Sequence, residues 1–341
     1  MSKDDRIQLA HGSGGTLMHE LIETVVVGRL GNPVLNELDD SAEIESLHGH
    51  RLEGGTIALT TDSYVVQPLF FPGGDIGKLA VCGTVNDLAM KGARPAYLTL
   101  GLIAEEGLPL ADLERVLSSI AVTAQAAGVA VAAGDTKVVE RGAVGGLIMN
   151  TAGIGVIPDG RRTGSSRVKE GDAVIVSGTI GDHETAILLA REDLKVKETV
   201  ESDCAPLGSL VEAVFEVCPD VSVMRDPTRG GLGTTLCEIA SRAAVGITID
   251  ESKLPIDRRV SSVCGILGFD PIYMANEGKA VVIVPGGYAD RVVAAMRSHE
   301  LGRAAAVIGS VGGREGVYLR TKVGGVRPIV MLEGVQLPRI C

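Results

Sequence analysis

Short apolar runs and stretches of helical spacing alternate along this chain. Thr56-Ile57-Ala58-Leu59-Thr60-Thr61 is rich in β-branched and apolar residues and predicts a strand ending at Asp62. A helix from about Asp75 to Gly92 follows. Next come a strand near Ala96–Ile103, a helix from about Leu110 to Ala127, and strands near Val129–Ala133 and Leu147–Val156. The order is β-α-β-α-β-β with short links. Ahead of this core, residues 1–40 hold the Gly-rich segment His11-Gly12-Ser13-Gly14-Gly15 and a helical stretch to about Leu30, and the polar residues 41–55 read as a loop.

Pro158–Arg167 is rich in Gly and Arg and reads as a linker between two units, 41–160 and 168–332. The second unit predicts a strand at Ala173–Ser177 and helices near Glu184–Arg191, Leu207–Val217 and Leu232–Ala244. Strands at Gly246–Ile249 and Lys279–Val284, a helix near Tyr288–Ser298 and strands beyond Ala305 complete it. Residues 333–341 form a tail in which Pro338 resists helix formation. Eight extended steps of such a tail reach roughly 26 Å. The pattern as a whole predicts an α/β (α+β) chain of two domains.

Composition narrows the function. A chain of 341 residues with 45% hydrophobic positions can fill two cores. Aromatics make up 3% and Trp is absent, which argues against stacking platforms for single-stranded nucleic acid. The net charge of −11 repels phosphate backbones, so nucleic acid is not an expected partner. Met1–Asp5 has no apolar run of the kind a signal peptide needs. Val116–Gly134 is 19 residues without charge, but Ser118, Ser119, Thr123, Gln125 and Gly128 make it a helix followed by a buried strand, not a membrane span. The expected compartment is the cytoplasm. None of the six cysteines forms a C-x-x-C pair or clusters with His, so neither a zinc site nor a disulfide framework is expected.

Several groups suit phosphate chemistry. Asp62, Asp87 and Asp135 are read at strand ends or within a helix, and Mg2+ prefers such hard oxygen ligands. Each Asp equally suits a turn or helix cap. Lys78 and Lys137 could neutralise phosphate charge or simply be solvated. The Gly-rich segment around His11 could fold over phosphates through its N–H groups or form a flexible arm. No Walker sequence is present. Arg225-Asp226-Pro227-Thr228-Arg229-Gly230-Gly231 opens a helix, where anions are favoured. Gly181-Asp182-His183 suits a helix cap, with His183 facing a site as the other reading, and Glu277 in Asn276-Glu277-Gly278 suits a solvated loop or a site. Cys341, the last residue, is a tethered thiol or an accident of sequence. It is not a prenylation signal, which needs Cys fourth from the end.

These motifs, with Asn86-Asp87-Leu88-Ala89, Gly134-Asp135-Thr136-Lys137, Asn150-Thr151-Ala152-Gly153 and the ending Pro338-Arg339-Ile340-Cys341, closely resemble the HypE family of [NiFe]-hydrogenase maturation, within the superfamily of aminoimidazole ribonucleotide synthetase and selenophosphate synthetase. The match runs over nearly the whole chain, and its ending is the most specific part. One position departs from the family: Glu184 stands where glycine is expected.

The resemblance implies a PurM-like fold, with residues 41–160 forming an ATP-binding domain that closes a barrel with a second copy in a homodimer. It implies an ATP- and Mg2+-dependent carbamoyl dehydratase. A carbamoyltransferase, HypF, would load Cys341. Phosphorylation of the carbamoyl oxygen and loss of phosphate would leave a thiocyanate, and the cyanide would pass to iron on a HypC–HypD complex. It implies Asp62, Asp87 and Asp135 as metal ligands. Lys78, Lys137, Asn150, Arg225 and Asp226 are the further nucleotide residues. Glu277 is the candidate base, with His11 second. A small-molecule synthetase of the superfamily is the competing enzyme reading, but the Gly-rich segment lacks the Cys or selenocysteine of selenophosphate synthetases, and such an enzyme has no need of Cys341. A non-catalytic maturation scaffold is the other reading. It has no need of the Asp and Lys constellation.

Overall fold

The computed structural model describes residues 7–47, 50–51, 55–191, 199–332 and 340–341. The expectations for Met1–Asp5, Pro338 and Arg339 lie outside those residues. Two sheets organise the chain. The first contains β1 (Ala42–Ile44), β2 (Thr56–Tyr64), β3 (Arg94–Glu105), β4 (Ala130–Val139) and β5 (Leu147–Ile157), in the order β1-β2-β5-β3-β4. Only the β3–β4 pair is parallel. It is joined by α2 (Leu110–Ala127), which follows α1 (Ile76–Met90).

Alternation along β2 places Ala58, Thr60 and Tyr64 in the interior and exposes Leu59, Thr61 and Ser63 on the open face. Helix α1 covers the inner face. It is apolar nearly all round and buried on all sides, from Ile76 and Leu79 to Leu88 and Met90. Asp75 caps it, accepting from the Gly77 and Lys78 N–H groups at 2.7 and 3.1 Å. Gly83 on this helix lies so close to Tyr64 that a Cβ there would overlap the phenolic oxygen. The small residue is what lets the Tyr64 hydroxyl reach the cavity described below.

The second sheet contains β6 (Asp172–Val176), β7 (Val223–Arg225), β8 (Gly246–Asp250), β9 (Val281–Pro285), β10 (Ala306–Val311), β11 (Gly316–Arg320) and β12 (Val326–Ile329), in the order β7-β9-β6-β10-β8-β11-β12. Helices α3 (Asp182–Arg191), α4 (Gly208–Val217), α5 (Gly231–Ala243), α6 (Arg258–Leu267) and α7 (Ala289–Ser298) belong to this half. One apolar cluster under the second sheet gathers Val174, Leu232, Ile247 and Ile283, and another joins Ile175 and Val282 to Met90 of α1. That second cluster locks the two halves together.

Three sequence expectations change. Residues 41–55 are not simply a loop, because 42–44, 46–47 and 50–51 are short strands. Strands β2 and β4 run on past the polar residues that seemed to end them, so Asp62 and Asp135 lie within strands. Strand β7 and helix α6 were not anticipated. Among the described residues, no helix is long and apolar enough to cross a membrane, and the uncharged stretch 116–134 is the end of α2 and the start of β4. All six cysteines are free.

Candidate active site

A cavity of about 820 Å³ opens where the first sheet, α1 and the start of α5 meet. Thr60, Asp62 and Tyr64 enter it from β2, Gly83 and Asp87 from α1, Asp226, Thr228 and Arg229 from the turn before α5, and Glu277 from the loop before β9. Cys341, the last residue, lines the same cavity. The end of the tail is therefore seated inside. Ile340 is buried in the core beside α1, and the Val65 N–H donates to the Cys341 carbonyl oxygen at 3.2 Å.

The cavity is crowded with carboxyl groups. Thr60 Oγ1 lies 2.8 Å from Asp87 Oδ2, and Tyr64 donates its hydroxyl to Asp62 Oδ2 at 3.1 Å. Burial pushes the Asp87 carboxyl well above the usual range, and Asp62, Asp226 and Asp40 add to the shift. Burial also raises Asp62 against the pull of Arg229, and raises Asp226 to about 6 against Arg225. Arg225 is engaged along the wall by Asp40 at 2.6 Å and Glu238 at 3.0 Å. Asp40 Oδ2 is buried without a hydrogen-bond partner. Such a surplus of desolvated carboxyl oxygens suits a divalent cation, which would relieve the mutual repulsion and offer ligand sites to phosphate.

Glu277 is 3% exposed and its Oε1 has no hydrogen-bond partner. Its carboxyl is raised well above the ordinary value by burial, with Cys204, Asp226 and Asp203 adding. Its loop is fixed through the backbone. Asp203 accepts from the Glu277 N–H at 3.1 Å, and Asn86 on α1 donates to the Glu277 carbonyl at 3.3 Å. The Cys341 thiol is pushed up to about 12 by burial, with Arg229 opposing and Glu277 and Asp62 reinforcing. The seated sulfur is a thiol and a poor nucleophile in that position. A group brought to it elsewhere would be held there among the acidic and cationic side chains.

Of the residues singled out in the sequence, Cys341, Glu277, Asp62, Asp87, Arg225 and Asp226 come together here. Asp135, Lys137 and Asn150 do not join them within one chain. Ser63 pairs with Asn150, Asn150 with Gly101 and Gly101 with Asp135, so these four form one row on the open face of the first sheet. Lys137 lies two residues farther along the same face. Asn150 donates to the Asp62 carbonyl at 2.8 Å, which ties this row to the cavity strand. Among the described residues no three His, Cys, Asp or Glu side chains gather at metal-ligand geometry, so the expected trio of aspartates is not completed by this chain alone.

Lys78 and His11 are not among the residues lining the cavity. Lys78 Nζ donates to the Gly73 carbonyl at 2.8 Å, and His11 Nδ1 accepts from the Gln8 N–H at 2.9 Å. The Gly-rich segment is packed in place. A Cβ on Gly14 would stand 2.8 Å from the Arg229 carbonyl oxygen, at a φ of +79° that itself favours glycine. Glu184 is buried, and its Oε2 accepts from the Ala275 N–H at 2.7 Å, bracing the loop that carries Glu277. Arg229, Tyr64, Thr60 and Asp40 were not singled out individually in the sequence. For Arg229 the motif was visible, but nothing in it showed which arginine turns inward.

Comparison with known proteins places this architecture in a family. The model for AIR synthase related proteins matches residues 39–157 with its N-terminal domain and 169–322 with its C-terminal domain. The chain is 48% identical over 341 residues to the carbamoyl dehydratase HypE of Cupriavidus necator, covering 99% of this chain and 96% of that protein. Among solved structures, HypE in a HypE–HypF complex superposes with a TM-score of 0.86 at 46% identity, covering 92% of this chain and 99% of that one. A HypE in complex with ATP superposes at 0.81 with 44% identity, covering 98% and 100%.

Proposed function

The chain belongs to the HypE family of carbamoyl dehydratases, and from that premise we infer that it is an ATP-dependent enzyme of [NiFe]-hydrogenase maturation, converting a carbamoyl group on the Cys341 thiol into a thiocyanate. The observation that carries this reading is the placement of Cys341. The chain's last residue lies in the cavity lined by Asp62, Asp87, Arg229 and Glu277.

Removing oxygen from a carbamoyl group requires it to leave as something better than hydroxide. ATP supplies the phosphoryl group that makes phosphate the leaving group, so the carbamoyl oxygen ends in phosphate and both N–H hydrogens depart as protons. Glu277 is the proposed acceptor of an N–H proton. Its Oε1 has no hydrogen-bond partner and is available to take it once the carboxyl is ionised. Arg229 is proposed to hold the carbamoyl oxygen's developing charge. Asp62 and Asp87 would hold Mg2+, which would supply positive charge to neutralise the nucleotide's phosphates. The surplus of desolvated carboxyls supports that assignment.

Asp135, Lys137 and Asn150 are proposed to act from a second copy. The open sheet face that bears them also exposes Leu59, Tyr97, Ile103, Ile154 and Val156, and β4 is exposed along nearly its whole length. An apolar face of this extent supports burial in a homodimer. The family's HypE–HypF complex supports HypF as the carbamoyl donor's enzyme. A HypC–HypD complex holding iron is proposed as the cyanide acceptor, and the ATP requirement supports a cytoplasmic setting.

ATP hydrolysis measured with carbamoylated and uncarbamoylated protein tests this. Turnover that depends on the carbamoyl group supports the enzyme, and none with either form favours a scaffold.

A further inference from the structure

His183 is completely buried and touches the tail without lining the cavity. Its Nε2 lies 2.8 Å from the Ile340 carbonyl oxygen, and its Nδ1 lies 2.8 Å from Ser202 Oγ. The Ile340 carbonyl oxygen can only accept, so Nε2 is the donor there, and in the neutral ring Nδ1 accepts the Ser202 hydroxyl, whose oxygen also accepts the Cys204 N–H at 3.1 Å. Burial lowers the proton affinity of the ring and keeps it neutral.

The pair is rigidly mounted. The Ser202 N–H donates to the Pro72 carbonyl at 2.8 Å, and the Phe71 ring meets the imidazole edge-on, with centroids 5.5 Å apart and planes at 87°. On the other side of Ile340 the Val65 N–H holds the Cys341 carbonyl oxygen. Both contacts are to backbone, so they read the chain end and leave the sulfur unencumbered.

We propose that Ser202 and His183 form a latch: a positioning pair that recognises the carbonyl of the penultimate residue and so holds the Cys341 sulfur in the dehydration site. This rests on the reading of Cys341 as the carrier. Loading by a separate transferase requires the sulfur to leave the cavity, and dehydration requires it to return and stay. When the tail is out, the buried Nε2–H loses its acceptor, and that cost favours return. The latch acts on the seated fraction and leaves nucleotide binding alone.

Three variants test it: His183→Ala, His183→Gln and Ser202→Ala. The readouts are single-turnover thiocyanate formation from carbamoylated protein, the alkylation rate of Cys341 in uncarbamoylated protein located by peptide mass, and Mg–ATP affinity. His183→Ala is expected to slow thiocyanate formation on the order of tenfold and to speed alkylation comparably, with nucleotide affinity unchanged. His183→Gln, whose amide N–H can still meet the carbonyl, is expected to recover part of both. Wild-type rates in His183→Ala would overturn the latch. So would loss of nucleotide binding in parallel with activity. If His183→Ala does not fold, Ser202→Ala decides, with the same directions and smaller effects. If wild-type protein makes no thiocyanate, the carrier reading fails, while the alkylation comparison still reports on the latch.

Discussion

Asp62 and Asp135 sit on opposite faces of the same sheet. Asp62 points with Tyr64 into the cavity, whereas Asp135 lies on the open face in the row of Ser63 and Asn150; Ser63 borders the cavity, but Asp135 stands three strands away on β4 and does not. A metal–phosphate site that uses both needs two copies of the chain. Mixing Asp62→Asn protein with Asp135→Asn protein after subunit exchange should then restore about a quarter of wild-type activity, because half the dimers are mixed and each has one intact site. No recovery, with exchange verified by mass, would assign each site to a single chain.

Asp87 lies at the centre of the carboxyl cluster, within hydrogen-bond reach of Thr60. Asp87→Asn keeps the shape and removes a charge and a ligand oxygen. Mg–ATP affinity measured by calorimetry should fall at least about tenfold, the usual range for losing one charged contact. Unchanged affinity would remove Asp87 from the nucleotide site.

Glu184 gives the fold a pH dependence. Burial raises its carboxyl to about 7, with the Ala275 N–H opposing. A raised carboxyl pKa in the folded state stabilises the protein fully below the unfolded value near 4.5, and that contribution is lost as pH rises through about 7. Glu184→Gln keeps an oxygen for the Ala275 N–H and carries no charge. It should be more stable than wild type at pH 8, on the order of 2 kcal/mol, and the advantage should shrink to about half or less at pH 5 and vanish below about pH 4. Thermal melts of the two proteins at these pH values check this. Equal gaps at pH 5 and pH 8 would show that Glu184 stays ionised in the fold.

Much of this architecture was legible because its signals are local. Helix α2 matched its expected bounds, since its apolar spacing runs unbroken from Leu110 to the left-handed Gly128 that ends it. Strand β4 was read short because Gly134-Asp135-Thr136-Lys137 looks like a turn. Its polar residues lie on an edge strand that is exposed along nearly its whole length, so the usual alternation is missing. Strand β7 has three residues, too few for any period to show. In the site, Asp62, Asp87, Asp226 and Glu277 announced themselves through their motifs. Arg229 and His183 did not, because the groups they meet in the site and the tail lie more than a hundred residues away in sequence, and the Ser202 hydroxyl gains its part only through His183. The motif around His183 suited a helix cap better than a site-facing histidine, and only the seated end of the chain gives its Nε2 a partner.

The central claim is that the sulfur of the last residue carries the reacting group. Intact-mass and terminal-peptide spectrometry of carbamoylated protein, before and after Mg–ATP, tests it most directly. The account predicts the loss of one water's mass on the peptide ending at Cys341, and no such species from Cys341→Ala, which should still bind ATP. A thiocyanate formed by the Cys341→Ala protein, or ATP consumed by wild type with the terminal carbamoyl mass intact, would contradict it.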